Sequence, residues 1–260
     1  MSLGSDGSAD SDDLQALEHH LETRYLRYCD PSRPLHLMAT LMMRCALNIL
    51  RFMARHPRRQ HQQTTEERLF VWRLCLAILD QQHMLQSNPH LRPFAWHAPF
   101  FQQWHAIIHV LDTLRSDPEI EQAARAWDLI EKTYSNNPEM LTGQAGGKTP
   151  IHAAVGNLCL KAWGRREEML RGSAGLPSFI EQLRKMRAEA AVVKKEKESQ
   201  GGGEMTKTSD MSNVIPQKSG SNTGTETDGD GLDSLLVMNM DSAADINWEQ
   251  WDTWLAGEGT

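Results

Sequence analysis

Between residues 11 and 198 the apolar positions recur at helical spacing, and nowhere with the period of two that marks a strand. Leu14, Leu17, Leu21, Tyr25 and Tyr28 share one face, and Ser11 with Asp12 and Asp13 supplies the polar cap that starts such a helix. Pro31 and Pro34 end it and launch a second, from about Leu35 to Arg55, carrying Leu35, Met38, Met42, Cys45, Ile49 and Phe52. Leu37, Leu41, Leu47, Leu50 and Met53 widen that stripe, which predicts the most buried element of the body. Thr64 and Glu67 form a capping box for a third helix reaching about Ser87, with Leu69, Trp72, Leu76 and Leu79 on one side. Asn88 to His97 reads as a loop. A fourth helix with Pro99 near its start bears Trp104, Ile107, Leu111 and Leu114, and Asp117-Pro118 opens a fifth with Ile120, Ala123, Trp127, Ile130 and Tyr134. Thr149-Pro150 repeats that start signal for a sixth helix, with Ile151, Val155, Leu158 and Ala162, and Pro177 opens a seventh, with Phe179, Leu183 and Met186.

The predicted body is therefore all-α, an antiparallel array of about seven helices spanning residues 11–198 after a disordered N-terminus, 1–10. Residues 199–230 are mostly Gly, Ser, Thr, Asn and Lys, which bury too little surface to offset ordering entropy and read as a disordered linker. Two apolar islands follow in residues 231–260. Leu232, Leu235 and Leu236 make the first. The second, DSAADINWEQWDTWL, puts Trp248, Trp251, Trp254 and Leu255 on one face of a short acidic tail helix, with Asp245, Glu249 and Asp252 between and before them.

Charge sharpens this division. Of the formal net charge of −7, residues 199–260 carry −9, from 11 acids against Lys207 and Lys218, and the body carries +2. A near-neutral body with an acidic tail lacks the clustered cations that direct DNA binding requires. The longest apolar run, Leu35 to Met53, is interrupted by Arg44 and Asn48, so no membrane-spanning segment is expected. The four cysteines, at 29, 45, 75 and 159, are far apart, and the last three fall inside apolar helical patterns, as reduced core thiols do.

Candidate chemistry is sparse. His105 and His109 have the i, i+4 spacing of a zinc pair, but the sequence HAIIH lacks the glutamate of a metalloprotease and a third ligand. They read as boundary residues of a packed helix. Glycines 143, 146 and 147 with Lys148 do not have phosphate-loop spacing. Arg51, Arg55, Arg58, Arg59 and His61 cluster at the end of the second helix, where cations are favoured whether or not a partner binds them. No catalytic constellation, metal site or cofactor site is predicted.

Three helical stretches then carry a resemblance. WHAIIHVLDTLR (Trp104 to Arg115), AWDLIEKTYSNNPEML (Ala126 to Leu141) and PIHAAVGNLCLKAW (Pro150 to Trp163), in that order, resemble the C-terminal region of the fungal binuclear zinc-cluster transcription factors. The closing INWEQWDTWL resembles the acidic tryptophan endings of several of them. The likeness covers roughly residues 30 to 190 and the last dozen. It implies a nuclear helical regulatory region acting on RNA polymerase II transcription. The six clustered cysteines that hold two zinc ions in that family do not occur here, so DNA would be reached only through a zinc-cluster domain absent from this chain. The chain is expected to be a natural fragment or a truncated gene model, leaving part of the face from Leu35 to Met53 exposed.

The expected partner is a Mediator-type coactivator, whose apolar groove would take Trp248, Trp251, Trp254 and Leu255. A homodimer is also compatible with the sequence. A second reading is a helical ligand-binding or scaffold protein, with the tail packed on the body and a pocket between helices two to four.

Overall fold

The computed structural model describes residues 6–55, 64–101, 103–142, 150–170 and 175–200. Among them every regular element is helical. In order these are α1 (Asp6–Arg24), a 3-10 turn (Leu26–Tyr28), α2 (Pro34–Ala54), α3 (Thr65–Ser87) and a 3-10 segment (Pro89–Phe101). They are followed by α4 (Trp104–Ser116), α5 (Ala123–Asn136), α6 (Glu139–Thr142), α7 (Pro150–Met169) and α8 (Ser178–Gln200). The seven expected helices correspond to α1–α5, α7 and α8, and α6 is an additional single turn.

Polar contacts give the directions. Glu22 pairs with Arg44 at 3.1 Å and Glu18 with Arg51, so α1 and α2 are antiparallel. Between α3 and α5 the pairs Asp80–Arg125, His83–Asn136 and Gln86–Asn137 rise together, so these two run the same way, α4 making the return. α3 packs against α2, α4 and α5, and α7 lies along α4. One apolar cluster, from Cys45 to Leu183, joins α2 through α8.

The expectation that α2 is the most buried helix is corrected. Only Leu41, Cys45, Leu47 and Phe52 are buried there, while α3 buries Val71, Trp72, Leu74, Cys75, Leu76, Ile78, Leu79 and Gln82. A helix with neighbours on three sides buries more than one with a broader apolar stripe and fewer neighbours. Part of the α2 face is indeed exposed, with Leu35 at 61%, Leu50 at 46% and Met53 at 40%. α2 is also long and apolar enough to cross a bilayer by length and composition, which the interruption at Arg44 and Asn48 had spoken against. Both of those residues are tied to the body, Arg44 to Glu22 and Asn48 to Gln81.

Three boundaries moved, the last two for identifiable reasons. α1 starts at Asp6, so residues 6–10, expected to be disordered, continue the helix ahead of Ser11. Pro89–Phe101 winds as a 3-10 segment in place of the expected loop, and α4 begins at Trp104, not near Pro99. Prolines 89, 93 and 99 lack the N–H that α-helical hydrogen bonding requires. α5 begins at Ala123, not at Pro118, after Gln122 in the left-handed region at φ 61°. The Trp72 indole N–H donates to the Glu121 carbonyl at 2.9 Å, and Arg73 grips the Glu121 carboxylate from the same helix. These long-range contacts hold the connection in a turn and override the local start signal at Asp117-Pro118.

The capping box is as expected. The Thr64 N–H donates to Glu67 Oε2 at 2.7 Å, and the Glu67 N–H donates to Thr64 Oγ1 at 3.2 Å. The Thr64 backbone hydrogen bond, then its hydroxyl, holds the Glu67 carboxyl below its ordinary value of 4.5. A depressed acid contributes stability that is present above its unfolded value and lost as pH falls through its folded one. Thr64→Ala is expected to cost about 1 kcal/mol at neutral pH. The gap between variant and parent should narrow in melts taken below the ordinary glutamate range.

Candidate partner-binding surfaces

The ten residues predicted to meet a coactivator are Leu232, Leu235, Leu236, Asp245, Trp248, Glu249, Trp251, Asp252, Trp254 and Leu255. All lie outside the described residues, as do Arg58, Arg59, His61 and the loop from Gly143 to Lys148. Of the basic cluster, Arg51 is paired with Glu18, and the Arg55 guanidinium lies 4.8 Å from the centre of the Phe70 ring. Both contacts tie the end of α2 to its neighbours within the body, Arg51 to α1 and Arg55 to α3.

The histidine pair is placed as a packed boundary. The His109 ring meets Phe52 edge-on, with centroids 5.9 Å apart. Among the described residues no three or more His, Cys, Asp or Glu side chains gather to hold a metal. The cysteines are all free thiols, and Cys45, Cys75 and Cys159 are buried. Burial raises all three, Cys45 to about 11, so they stay protonated and unreactive at neutral pH.

The three stretches that carry the family resemblance converge in space. α4 and α7 lie together, with the Trp104 and His152 rings 5.2 Å apart. α5 and α7 meet through Trp127 and Trp163, perpendicular rings with centroids 5.0 Å apart. The Arg166 guanidinium lies over both indoles, 5.1 Å from the Trp163 ring and 5.7 Å from Trp127. Trp163 Nε1 donates to Glu167 at 2.9 Å, and Glu167 also accepts from Arg184 of α8 at 2.6 Å. Desolvation lowers Arg166 from its ordinary value, which leaves a guanidinium charged throughout the accessible range.

Beside this stack is a cleft of about 400 Å³ between α5, α7 and the start of α8. Trp127, Trp163, Leu170, Pro177 and Phe179 give it apolar walls, and Asp128, Glu131 and Arg166 give it charge. It lies away from the second to fourth helices, where the ligand-binding reading placed a pocket. Sequence reading passed over Arg166. The available signal was its position three residues after Trp163, which puts it on the same helical face.

No protein-family model and no solved structure matches the chain. Curated proteins do match. The aurofusarin cluster transcription factor aurR2 of Gibberella zeae is 27% identical over 157 residues, 59% of this chain and 23% of that protein. Its relatives are fungal transcription factors. The transcriptional regulator nsrM of Aspergillus novofumigatus is 29% identical over 187 residues, 70% of this chain and 25% of its own length. The C6 finger domain transcription factor hasF of Aspergillus fumigatus is 26% identical over 142 residues, 50% of this chain and 18% of its own length. The chain spans about a quarter of the length of aurR2 and nsrM. The likeness to six-cysteine zinc-cluster factors, read from three helices in order, is borne out. The finger named for hasF belongs to that protein; the four separated cysteines of this chain do not make one. These relatives are named as regulators, not as enzymes.

Proposed function

We propose that this chain regulates RNA polymerase II transcription in the nucleus and is not an enzyme. In this reading the helical body is a regulatory region, and the acidic tail recruits a Mediator-type coactivator. The observation that carries it is the similarity to fungal transcription regulators over as much as 70% of the chain. The tail's role rests on its composition: three indoles at helical spacing, Trp248, Trp251 and Trp254, within a segment of charge −9. Docking would bury Trp248, Trp251, Trp254 and Leu255 in a partner's groove. Asp245, Glu249 and Asp252 would steer the segment toward a basic rim, and Leu232, Leu235 and Leu236 would extend the apolar contact. Ordering the segment on binding costs a few kcal/mol, so micromolar affinity is expected.

The test fuses residues 221–260 to an unrelated DNA-binding domain and reads a reporter gene. Wild-type tail is expected to activate, and the triple variant Trp248→Ala, Trp251→Ala, Trp254→Ala to fall at least about tenfold, since aromatic anchors dominate such contacts. Equal output from the two fusions would remove the tail from the mechanism.

A further inference from the structure

We infer that the cleft between α5, α7 and the start of α8 binds a planar aromatic monocarboxylate bearing a hydroxyl. Its carboxylate is held by Arg166 and its ring lies against Trp127, Trp163 and Phe179. The inference depends neither on the tail nor on the reading of the chain as a regulator. A cleft of about 400 Å³ is of the size that takes small molecules. Its aromatic walls are fixed by the body. Trp127 and Trp163 meet edge to face, with centroids 5.0 Å apart, and Phe179 is stacked on Tyr134 at 5.1 Å. All four rings are buried, so little ordering of the walls opposes binding.

What selects a carboxylate is the situation of Arg166. The acids on the flanking turns are engaged elsewhere: Asp128 with Lys132 at 2.7 Å, Glu167 with Trp163 and Arg184, and Glu168 with Arg165 at 3.1 Å. Among the described residues no side chain makes a hydrogen bond or ion pair with Arg166, whose contacts are the two indole rings. Those contacts use the charge of the guanidinium and none of its five N–H donors. Desolvation is the cause that lowers Arg166, whereas Arg73, hydrogen-bonded to Glu121, is raised. A ligand carboxylate would take two of the donors side by side, the pairing that the planar fork favours. The rest of the lining narrows the class. Asp128 and Glu131 set two acids against one cation, which disfavours phosphate and other polyanions. Glu131 is exposed, and no hydrogen bond or ion pair joins it to Arg166, so its carboxylate can accept from a ligand hydroxyl. The indole and phenyl walls favour a flat ring over an open-chain acid.

The experiment is saturation-transfer NMR on the full 260-residue chain. The probes are a hydroxynaphthoate with its carboxylate and hydroxyl at opposite ends, the parent naphthoate, and naphthol. The hydroxynaphthoate is expected to bind with a Kd of about 10–1,000 µM, as its few atoms allow. Naphthol, which lacks the carboxylate, should bind at least about tenfold more weakly, the weight of one charge-assisted pair. Arg166→Ala should bring both acids down to the level of naphthol, with far-UV circular dichroism unchanged. Arg165→Ala, at the exposed neighbour paired with Glu168, should leave all three unchanged. Glu131→Ala should erase the advantage of the hydroxynaphthoate over the naphthoate. No saturable binding by any probe overturns the inference, as does naphthol binding as tightly as the acids, or acid binding indifferent to Arg166→Ala. An equal loss with Arg165→Ala also overturns it, since attraction to surface charge alone would then account for binding. A hydroxyl advantage that survives Glu131→Ala overturns the role of Glu131.

Discussion

Trp72→Ala should remove about 3–5 kcal/mol of folding stability, the usual cost of deleting a fully buried indole. Trp72 has no exposed surface and sits in α3, the helix with most neighbours. Its ring fills space in the central cluster, and its N–H satisfies the Glu121 carbonyl across the fold. Truncation leaves a cavity and removes that hydrogen bond, two losses that add. Trp72→Phe separates them, keeping most of the volume while losing the hydrogen bond, and should cost markedly less. Urea melts followed by far-UV circular dichroism measure both. An alanine midpoint near that of the parent would mean that the central cluster does not depend on this ring.

Trp163→Ala should be of similar size, about 3–5 kcal/mol, and should also change the cleft. Trp163 is 2% exposed, perpendicular to Trp127, capped by Arg166 and bonded to Glu167. Losing it removes the surface on which Arg166 lies and one of the two groups that orient Glu167 toward Arg184. Arg166→Ala removes only the cation, worth about 0.5–1 kcal/mol at a partly exposed site. The predicted order is therefore Trp163→Ala well above Arg166→Ala, read from the same urea midpoints. Equal losses would show that the guanidinium organises the stack, not the indole pair.

The elements legible in advance were those specified by local chemistry. The Thr64–Glu67 box set the start of α3 because both halves of the cap lie within one turn. Pro150 and Pro177 marked α7 and α8 because a proline at or just before the first helical position needs no N–H partner there and presets the backbone for the helix. Pro118 misled, since Trp72 and Arg73, some fifty positions upstream, claim Glu121 and delay α5 until Gln122. Burial of α2 was overestimated for a related reason: its apolar stripe records how much surface could be covered, and only the arrangement of helices says how much is. The aromatic stack at Trp127, Trp163 and Arg166 joins two helices separated by the α6 region, and a single-helix pattern cannot display it. The tail was the reverse case. Its spacing was plain in sequence, while residues 201–260 lie outside the described structure.

The hydrogen bond from Trp72 to Glu121 closes a loop of 49 residues. The hairpin of α1 and α2 needs only neighbours in sequence and can assemble early. α3 gains its clasp only after α4 and the turn beyond it have been made, so its final seating waits for a long closure. A piece of the chain cut anywhere between α3 and Glu121 would keep the helix and lose what fastens it. The smallest unit able to fold by itself therefore has to extend past that turn.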